Sequence, residues 1–338
     1  MLTLSHELSH SVRLSFPLKR HVLSLMVGLL SVGCATGRVV PIADHHQHLF
    51  SPDIAALLAQ DNPGFQAIAA RDLIALLDSA GIRHALLLST AYIYGSPARD
   101  IDDEYAKVRA ENDWNGAQAA LYPDRLRAFC GFNPLKDYAL EELVRCAKNP
   151  NLSRGIKLHF GNSDVQLENP AHVEQLRRVF RAANEHRMAI VVHMRASISR
   201  RRPYGAAQAR VFLEHLLAVA PDVPVQVAHL AGSGPGYEDP PADSAMAVLA
   251  GAVEHHDPLT KNLWFDVTTV VDRNISPANA ALVVRRIRQV GVERILYGSD
   301  APVGNNLRPR EGWAAFRRLP LTEDEFARIA KNLAPYLR

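Results

Sequence analysis

The strongest constraint on the fold is a regular alternation between short aliphatic runs and longer amphipathic segments. Eight runs have strand-like composition: VVPIADHHQH, HALLLST, LRAFCGF, GIKLHF, AIVVHM, VPVQVAHL, LWFDVTT and RILYGSD. Between them, apolar residues recur three and four positions apart, as in AIAARDLIALLDSAG, AHVEQLRRVFRAANEH and ANAALVVRRIRQVG. Two of these helical segments end at Gly81 and Gly291, as helix C-termini often do. Strands that alternate with helices are predicted to pair in parallel, because only a crossover returns the chain to the same edge.

The number of these units favours a closed barrel. The chain has 338 residues, of which 48% are hydrophobic, so it can bury a large core. Eight units in roughly three hundred residues suit a (β/α)8 TIM barrel, which typically takes about 250 residues plus insertions. An open doubly wound sheet usually carries a glycine-rich phosphate-binding motif after its first strand, and none stands there. We therefore predict one α/β domain, a TIM barrel, over residues 34–338.

Residues 1–33 have the pattern of a signal peptide. A basic stretch ending in LKRH precedes the apolar run VLSLMVGLLSV, which is too short to span a membrane but suits a signal-peptide core. The run ends in SVGC, so Cys34 follows a small residue, as the lipidated cysteine of bacterial lipoproteins does. Ser31 stands where such signals usually carry leucine. We expect an exported protein, periplasmic or anchored to a bacterial membrane through lipidated Cys34. Plain cleavage, or a misassigned start codon, is the alternative.

The net charge of the chain argues against a nucleic-acid partner. The formal net charge is +3, and Arg13, Lys19 and Arg20 against Glu7 account for +2 of it, which leaves +1 for the remainder. A body so close to neutral lacks the concentrated positive face that a nucleic-acid partner requires. We therefore expect a small-molecule substrate and no nucleic acid, and composition leaves the oligomeric state open.

Two cysteines remain besides Cys34, namely Cys130 and Cys146. A chain of this size does not need a disulfide to stabilise its core. We expect two buried free thiols, with one disulfide as the alternative.

Polar residues stand where the predicted strands end, and active groups of TIM barrels come from these ends and the loops after them. They are Asp44, His46 and His48 on the first strand, Lys157 and His159 on the fourth, His193 on the fifth, His229 on the sixth and Asp300 on the eighth. Because side chains alternate along a strand, His46 and His48 are predicted to share a face with Asp44, and His45 to pack outward among helices.

A divalent metal ion would satisfy this set of imidazoles and carboxylate. Burying so many polar groups without partners would cost several kcal/mol each in apolar surroundings. Imidazole and carboxylate ligands suit zinc, which we expect, although manganese and iron bind the same donors. In the loop after the fifth strand, Arg195 is a candidate for binding a substrate carboxylate through two hydrogen bonds. The alternative is a basic loop that faces solvent.

The motifs DHHQH, IVVHM, VAHL and LYGSD, in that order and with GIKLHF between the first two, resemble the amidohydrolase superfamily. The resemblance is to its amidohydrolase-related branch, which contains lactone hydrolases and aminocarboxymuconate semialdehyde decarboxylases, and it extends from about Val39 to the C-terminus. It implies that His46, His48 and His193 are metal ligands and that Asp300 is a ligand that also transfers a proton.

The same resemblance implies a role for His229 that depends on the number of ions. In one-metal members the residue at this position orients the attacking water or polarises the substrate. In two-metal members it is a ligand, and a carboxylated lysine at the position of Lys157 bridges the ions. We expect one ion rather than two, with Lys157, His159 and Arg195 contacting the substrate.

The resemblance implies hydrolysis of a lactone, amide or ester bond in a small acidic substrate, with a metal-activated water as nucleophile. Asp300 would accept the water proton and pass it to the leaving group. Decarboxylation of an unsaturated carboxylic acid at the same centre is the first alternative. The second is a catalytically inactive exported binding protein, which would be expected to lack a ligand, whereas every expected position is filled.

Overall fold

The computed structural model describes residues 39–301, 304 and 306–338. The predicted signal peptide at residues 1–33 and Cys34 lie outside the described residues. Each predicted aliphatic run contains a strand: β1 Ala43–Gln47, β2 His84–Leu88, β3 Leu126–Gly131, β4 Gly155–His159, β5 Ala189–His193, β6 Val225–Val227, β7 Leu263–Asp266 and β8 Ile295–Leu296.

The strands pair in parallel in the order β1 to β8, as predicted. Two backbone hydrogen bonds then join the last strand region to the first. The His45 amide donates to the Tyr297 carbonyl at 2.8 Å, and the Asp300 amide donates to the His46 carbonyl at 2.9 Å. The sheet therefore closes into the (β/α)8 barrel that the alternation predicts.

Helices surround this sheet where the amphipathic segments predict them. They are α1 Pro52–Ala59, α2 Ala70–Ala80, α3 Glu104–Ala120, α4 Ala139–Ala147, α5 Pro170–Glu185, α6 Ala206–Val211, α7 Pro240–Glu254, α8 Pro277–Val290, α9 Pro309–Phe316 and α10 Glu323–Lys331. Helix α2 ends at Gly81, whose φ of 74° places it in the left-handed region that glycine tolerates best. Within the described residues, no helix is both long and apolar enough to cross a membrane.

The interior of the barrel has an apolar lower end, which we call the barrel floor. Residues that precede the polar strand ends pack there against the chain after α10; the floor consists of Ala43, Leu86, Leu88, Phe129, Ala189, Val191, Leu296, Ala334, Tyr336 and Leu337. The ring of Phe129 meets that of Tyr336 edge to face, with centroids 5.1 Å apart. The C-terminal segment thus closes the end of the barrel opposite to the polar strand ends.

Strand β1 departs from the alternation that the sequence predicts. Its register shifts between Asp44 and Gln47, and such a bulge changes which face each side chain occupies. The Asp44 carboxylate consequently turns to Ser299, whose hydroxyl donates to it at 2.7 Å, and to the Gln47 amide, also at 2.7 Å. Asp44 therefore holds β1 against the end of β8 instead of sharing a face with His46 and His48.

The bulge also overturns the prediction for His45. Its Nδ1 lies 3.0 Å from the Tyr297 carbonyl oxygen, and its Nε2 accepts a hydrogen bond from the Ala334 amide at 3.3 Å. His45 is fully buried and contacts the C-terminal segment, not the surrounding helices.

The expectation of two free thiols is also wrong. Cys130 on β3 and Cys146 on α4 form a disulfide, with Cα atoms 6.3 Å apart. The two cysteines stand 16 residues apart in sequence, on a strand and on the helix that follows it, and their Cα separation lies within the range of a disulfide.

Candidate metal centre

Polar side chains from five strand ends gather at the carboxyl end of the barrel. We call this set the mouth cluster; it consists of His46, His48, Lys157, His159, His193, His229 and Asp300. Ring centroids lie 4.8 Å apart for His46 and His229, 5.3 Å for His46 and His48, and 5.0 Å for His193 and His229. Residues far apart in the chain meet here because parallel strands present all their carboxyl ends at one opening.

The cluster has a tight centre. His46, His229 and Asp300 each offer a donor atom, and these atoms lie within 4.8 Å of one another. Nε2 of His48 is 3.8 Å from Oδ1 of Asp300. His193 lies one ring further out, beside His229 and stacked on His159 with centroids 3.9 Å apart.

Asp300 carries the clearest sign of a missing partner. Its Oδ1 is buried without a hydrogen-bond partner among the described residues, while its Oδ2 accepts from the Asn306 amide at 3.2 Å. Burial raises the pKa of Asp300, partly offset by the nearby Lys157 ammonium. An isolated buried carboxylate oxygen is unfavourable, and imidazole nitrogens beside it complete a donor set that fits a first-row divalent ion.

Hydrogen bonds behind three of the histidines aim their Nε2 atoms into the cluster. Nδ1 of His46 lies 3.0 Å from the Asp266 carboxylate, that of His48 lies 2.6 Å from the Leu88 carbonyl, and that of His229 lies 2.9 Å from the Thr268 carbonyl. Because carbonyl and carboxylate oxygens only accept, each Nδ1 carries the proton in the neutral ring. Each Nε2 then presents a lone pair, as a metal ligand must.

Asp266 is a site residue that the sequence analysis missed. It ends β7, and its carboxylate accepts from Nδ1 of His46, from the Gln226 amide at 2.6 Å and from the His229 backbone amide at 2.9 Å. Burial raises the pKa of Asp266, but His46 and His229, through their charges and their hydrogen bonds to the carboxylate, outweigh burial and hold this pKa well below its usual range. The signal was an aspartate that ends the apolar run LWFD, in the same relation to its strand as Asp300.

Lys157 lies beneath the centre of the cluster. Its Nζ is 3.2 Å from Nε2 of His46, and the side chain is fully buried. Burial lowers the pKa of Lys157, although the charges of Asp266 and Asp300 oppose that shift. This is the position at which the resemblance allows a carboxylated bridge.

The remaining predicted substrate contacts lie at the edge of the cluster. His159 stacks on His193, and its Nδ1 accepts from the Asn162 amide at 3.1 Å. Arg195 donates from Nε and Nη2 to both oxygens of Asp239, at 2.6 and 3.3 Å. The Arg195 guanidinium, which was predicted to bind a substrate carboxylate, is therefore paired with a carboxylate of the protein itself.

Comparisons with known proteins agree with this architecture. A family model described as amidohydrolase matches residues 43–332. Among curated proteins, no sequence matches the chain.

Solved structures are similar over most of the chain. The 2,6-dihydroxybenzoate decarboxylase from Rhizobium gives a TM-score of 0.59 at 16% identity, over 86% of this chain and 96% of that one. A dihydroxybenzoic acid decarboxylase from Polaromonas, with bound manganese and the inhibitor 2-nitroresorcinol, gives 0.58 at 16% identity, over 86% and 95%. A probable 2-pyrone-4,6-dicarboxylic acid hydrolase from Acinetobacter baumannii gives 0.52 at 18% identity, over 86% and 96%. At these identities the similarity demonstrates the barrel fold alone.

Proposed function

The chain belongs to the amidohydrolase family, and we propose that it uses a divalent metal ion to hydrolyse a lactone, amide or ester bond in a small substrate. The family match confirms the resemblance drawn from the strand-end motifs. The observation that carries the proposal is the buried Oδ1 of Asp300, which has no hydrogen-bond partner among the described residues and lies 3.8 Å from Nε2 of His48. A carboxylate placed there is suited both to hold an ion and to exchange a proton with water.

In this proposal His46, His48, His193 and Asp300 hold one ion. Among the described residues, His46, His229 and Asp300 are the mouth residues whose donor atoms lie within 4.8 Å of one another, so His193 would have to approach the ion from its place beside His229. A bound divalent ion would act as a Lewis acid and lower the pKa of water from 15.7 to about 7. Asp300 takes the proton of the attacking water as the water oxygen bonds to the carbonyl carbon, and it delivers that proton to the leaving group when the bond between the carbonyl carbon and the leaving group breaks. Asp266 fixes the orientation of His46 throughout.

The local hydrogen bonds refine the role of His229. Burial lowers the pKa of His229, with the charge of Asp266 opposing the shift, which favours the neutral ring. Its Nδ1 proton is directed to the Thr268 carbonyl, which leaves Nε2 as an acceptor. We therefore propose that His229 accepts a hydrogen bond from the attacking water, or serves as a further ligand, and does not donate to the substrate carbonyl.

Decarboxylation is the second candidate, since five of the similar solved structures are named as decarboxylases. That reaction needs a cation to hold the departing carboxylate. Arg195 is paired with Asp239, and Lys157 is buried against His46. These pairings weaken the prediction that the substrate is acidic. They do not decide between the two reactions, because in a decarboxylase the bound ion would itself be the cation that holds the carboxylate.

Isotope labelling separates the two reactions. Metal-loaded protein is assayed against lactones, amides, esters and unsaturated carboxylic acids in water enriched in oxygen-18. Hydrolysis places one labelled oxygen in the product acid and releases no carbon dioxide, which is the expected result. Carbon dioxide release from an unsaturated acid, without label in the remaining product, would overturn hydrolysis.

We propose zinc as the ion, with manganese as the first substitute. Elemental analysis of protein purified without chelator should find about one equivalent per chain, and activity lost to a chelator should return with zinc. Two equivalents would contradict the single-ion site and point to Lys157 as a bridge. Recovery of activity with manganese but not with zinc would identify manganese, and not zinc, as the native ion.

We also propose that the protein is exported and that Cys34 is lipidated. The Cys130–Cys146 disulfide supports export, because disulfides persist mainly in oxidising compartments. The wild-type protein should partition into detergent, and Cys34→Ser should release it into the periplasmic fraction. Wild-type protein that is already free in that fraction would refute the anchor.

A further inference from the structure

The turn after β6 has an unusual backbone, and it carries His229. His229, Leu230 and Ala231 have φ angles of 55°, 47° and 63°, so three consecutive residues other than glycine occupy the left-handed region. In that region Cβ approaches the following carbonyl oxygen, and L residues adopt it as single residues far more often than in succession. Such strain persists only where surrounding contacts hold the backbone in place.

Two tyrosines supply those contacts. The hydroxyl of Tyr204 donates to the Ala231 carbonyl at 2.6 Å, and that of Tyr237 donates to the Leu230 carbonyl at 3.3 Å. Tyr204 comes from the loop after β5, whereas Tyr237 lies further along the loop that contains the turn. Hydroxyl groups from two different loops therefore hydrogen-bond to two successive carbonyl groups of the turn.

A third group fixes Tyr204 itself. The guanidinium carbon of Arg195 lies 4.7 Å from the centroid of the Tyr204 ring, within the range of a cation–π contact. Asp239 holds that guanidinium through hydrogen bonds of 2.6 and 3.3 Å. Arg195 is 8% exposed, so the pair is largely shielded from solvent. We call Tyr204, Tyr237, Arg195 and Asp239 the turn clamp.

We propose that the turn clamp positions His229 by holding the left-handed turn on which it stands. The proposal rests on the proposed function, because it assumes that Nε2 of His229 acts in the mouth cluster. The His229 amide bonds to Asp266 at 2.9 Å and its Nδ1 to the Thr268 carbonyl at 2.9 Å. Both bonds require the turn to keep its present path. Arg195 is then a positioning residue and not a substrate ligand.

Removing single hydroxyls tests the clamp. Tyr204→Phe keeps the ring and its contact with Arg195 but loses the hydrogen bond to Ala231. We expect kcat to fall on the order of tenfold with KM unchanged, the size of one hydrogen bond. Tyr237→Phe should have a smaller effect, because its bond is longer. Tyr122→Phe, in the turn after α3 and outside the mouth cluster, is the matched control and should leave kcat unchanged.

An imidazole nitrogen NMR spectrum of zinc-loaded protein supplies a readout that does not depend on turnover. Tyr204→Phe should shift or broaden the His229 signals while those of His48 stay in place. Unchanged His229 signals in both tyrosine variants would overturn the clamp, whatever substrate the enzyme takes. A shift without any detectable reaction in the wild type would support the clamp and count against the proposed hydrolysis.

The role of Arg195 is tested with its partner. Arg195→Met, Asp239→Asn and the double variant should each reduce kcat by a similar factor, because either change releases Tyr204. The loss should be equal for acidic and neutral substrates. A rise in KM confined to acidic substrates in Arg195→Met would identify Arg195 as a substrate ligand and overturn its positioning role.

Discussion

The two ends of the barrel interior are built from the same strands but treat buried polar groups differently. Next to the floor, His45 and Gln226 are buried and hydrogen-bonded, and Tyr336 of the floor donates its hydroxyl to the Gln226 side chain. At the mouth, one buried oxygen of the Asp300 carboxylate lies among imidazoles and has no hydrogen-bond partner in the part of the chain that the structure describes. The floor is therefore arranged for stability, whereas the mouth retains an unfavourable group that a ligand would satisfy.

The largest effect is expected at the mouth. Asp300→Asn should reduce kcat by about 10³-fold, since the amide can neither take nor return a proton. The free energy of unfolding of metal-free protein, measured in urea, should stay constant or rise, because a buried carboxyl group whose pKa is raised by burial is replaced by a neutral amide of the same shape. The control Asp102→Asn changes an exposed aspartate in the same way and should alter neither quantity. Retained turnover in Asp300→Asn would end the proposed role of this residue.

A cavity at the floor should lower the stability of the protein and leave its turnover unchanged. Phe129 is fully buried and packs edge to face on Tyr336. Phe129→Ala should lower the free energy of unfolding by about 3–5 kcal/mol, from lost burial and the cavity left behind. Turnover per folded molecule should remain at the wild-type level in a standard assay. A large loss of kcat in the folded protein would show that the two ends are not independent.

Replacing Asp266, the carboxylate that orients His46, should have an intermediate effect, seen in the affinity for zinc. Asp266→Asn weakens the hydrogen bond that orients His46, and it places an amide against the donors of Gln226 and His229. Zinc affinity, measured by chelator competition, should fall about 10–100-fold, as for other residues that orient metal ligands. Unchanged affinity would mean that His46 does not bind the ion.

The smallest effect is expected where the two ends meet. Tyr336 bonds to Gln226, which in turn donates to Asp266 at 2.6 Å. Tyr336→Phe should lower the free energy of unfolding by about 1 kcal/mol and leave zinc affinity nearly unchanged. If affinity fell as far as in Asp266→Asn, the floor would control the mouth through this chain of hydrogen bonds.

Local sequence patterns predicted most of the fold and the members of the mouth cluster. Each aliphatic run became a strand, and the segments ending at Gly81 and Gly291 became α2 and α8. The strand-end residues His46, His48, His193, His229 and Asp300 could be identified in advance, because a parallel barrel gathers strand ends whatever its loops do. Asp266 ends a strand in the same way, but its role depends on His46, which lies 220 residues away in sequence.

The sequence by itself determined the barrel, its polar end and a donor set suited to a divalent ion, since these follow from periodicity along each strand and helix. Only the tertiary structure decided the bulge in β1, which directs Asp44 to Ser299 and His45 to the C-terminal segment. It also decided the Cys130–Cys146 disulfide and the pairing of Arg195 with Asp239. It also decided the left-handed turn at His229. Each of these depends on contacts between segments distant in sequence, whose free energy outweighs the local preference of the backbone or side chain.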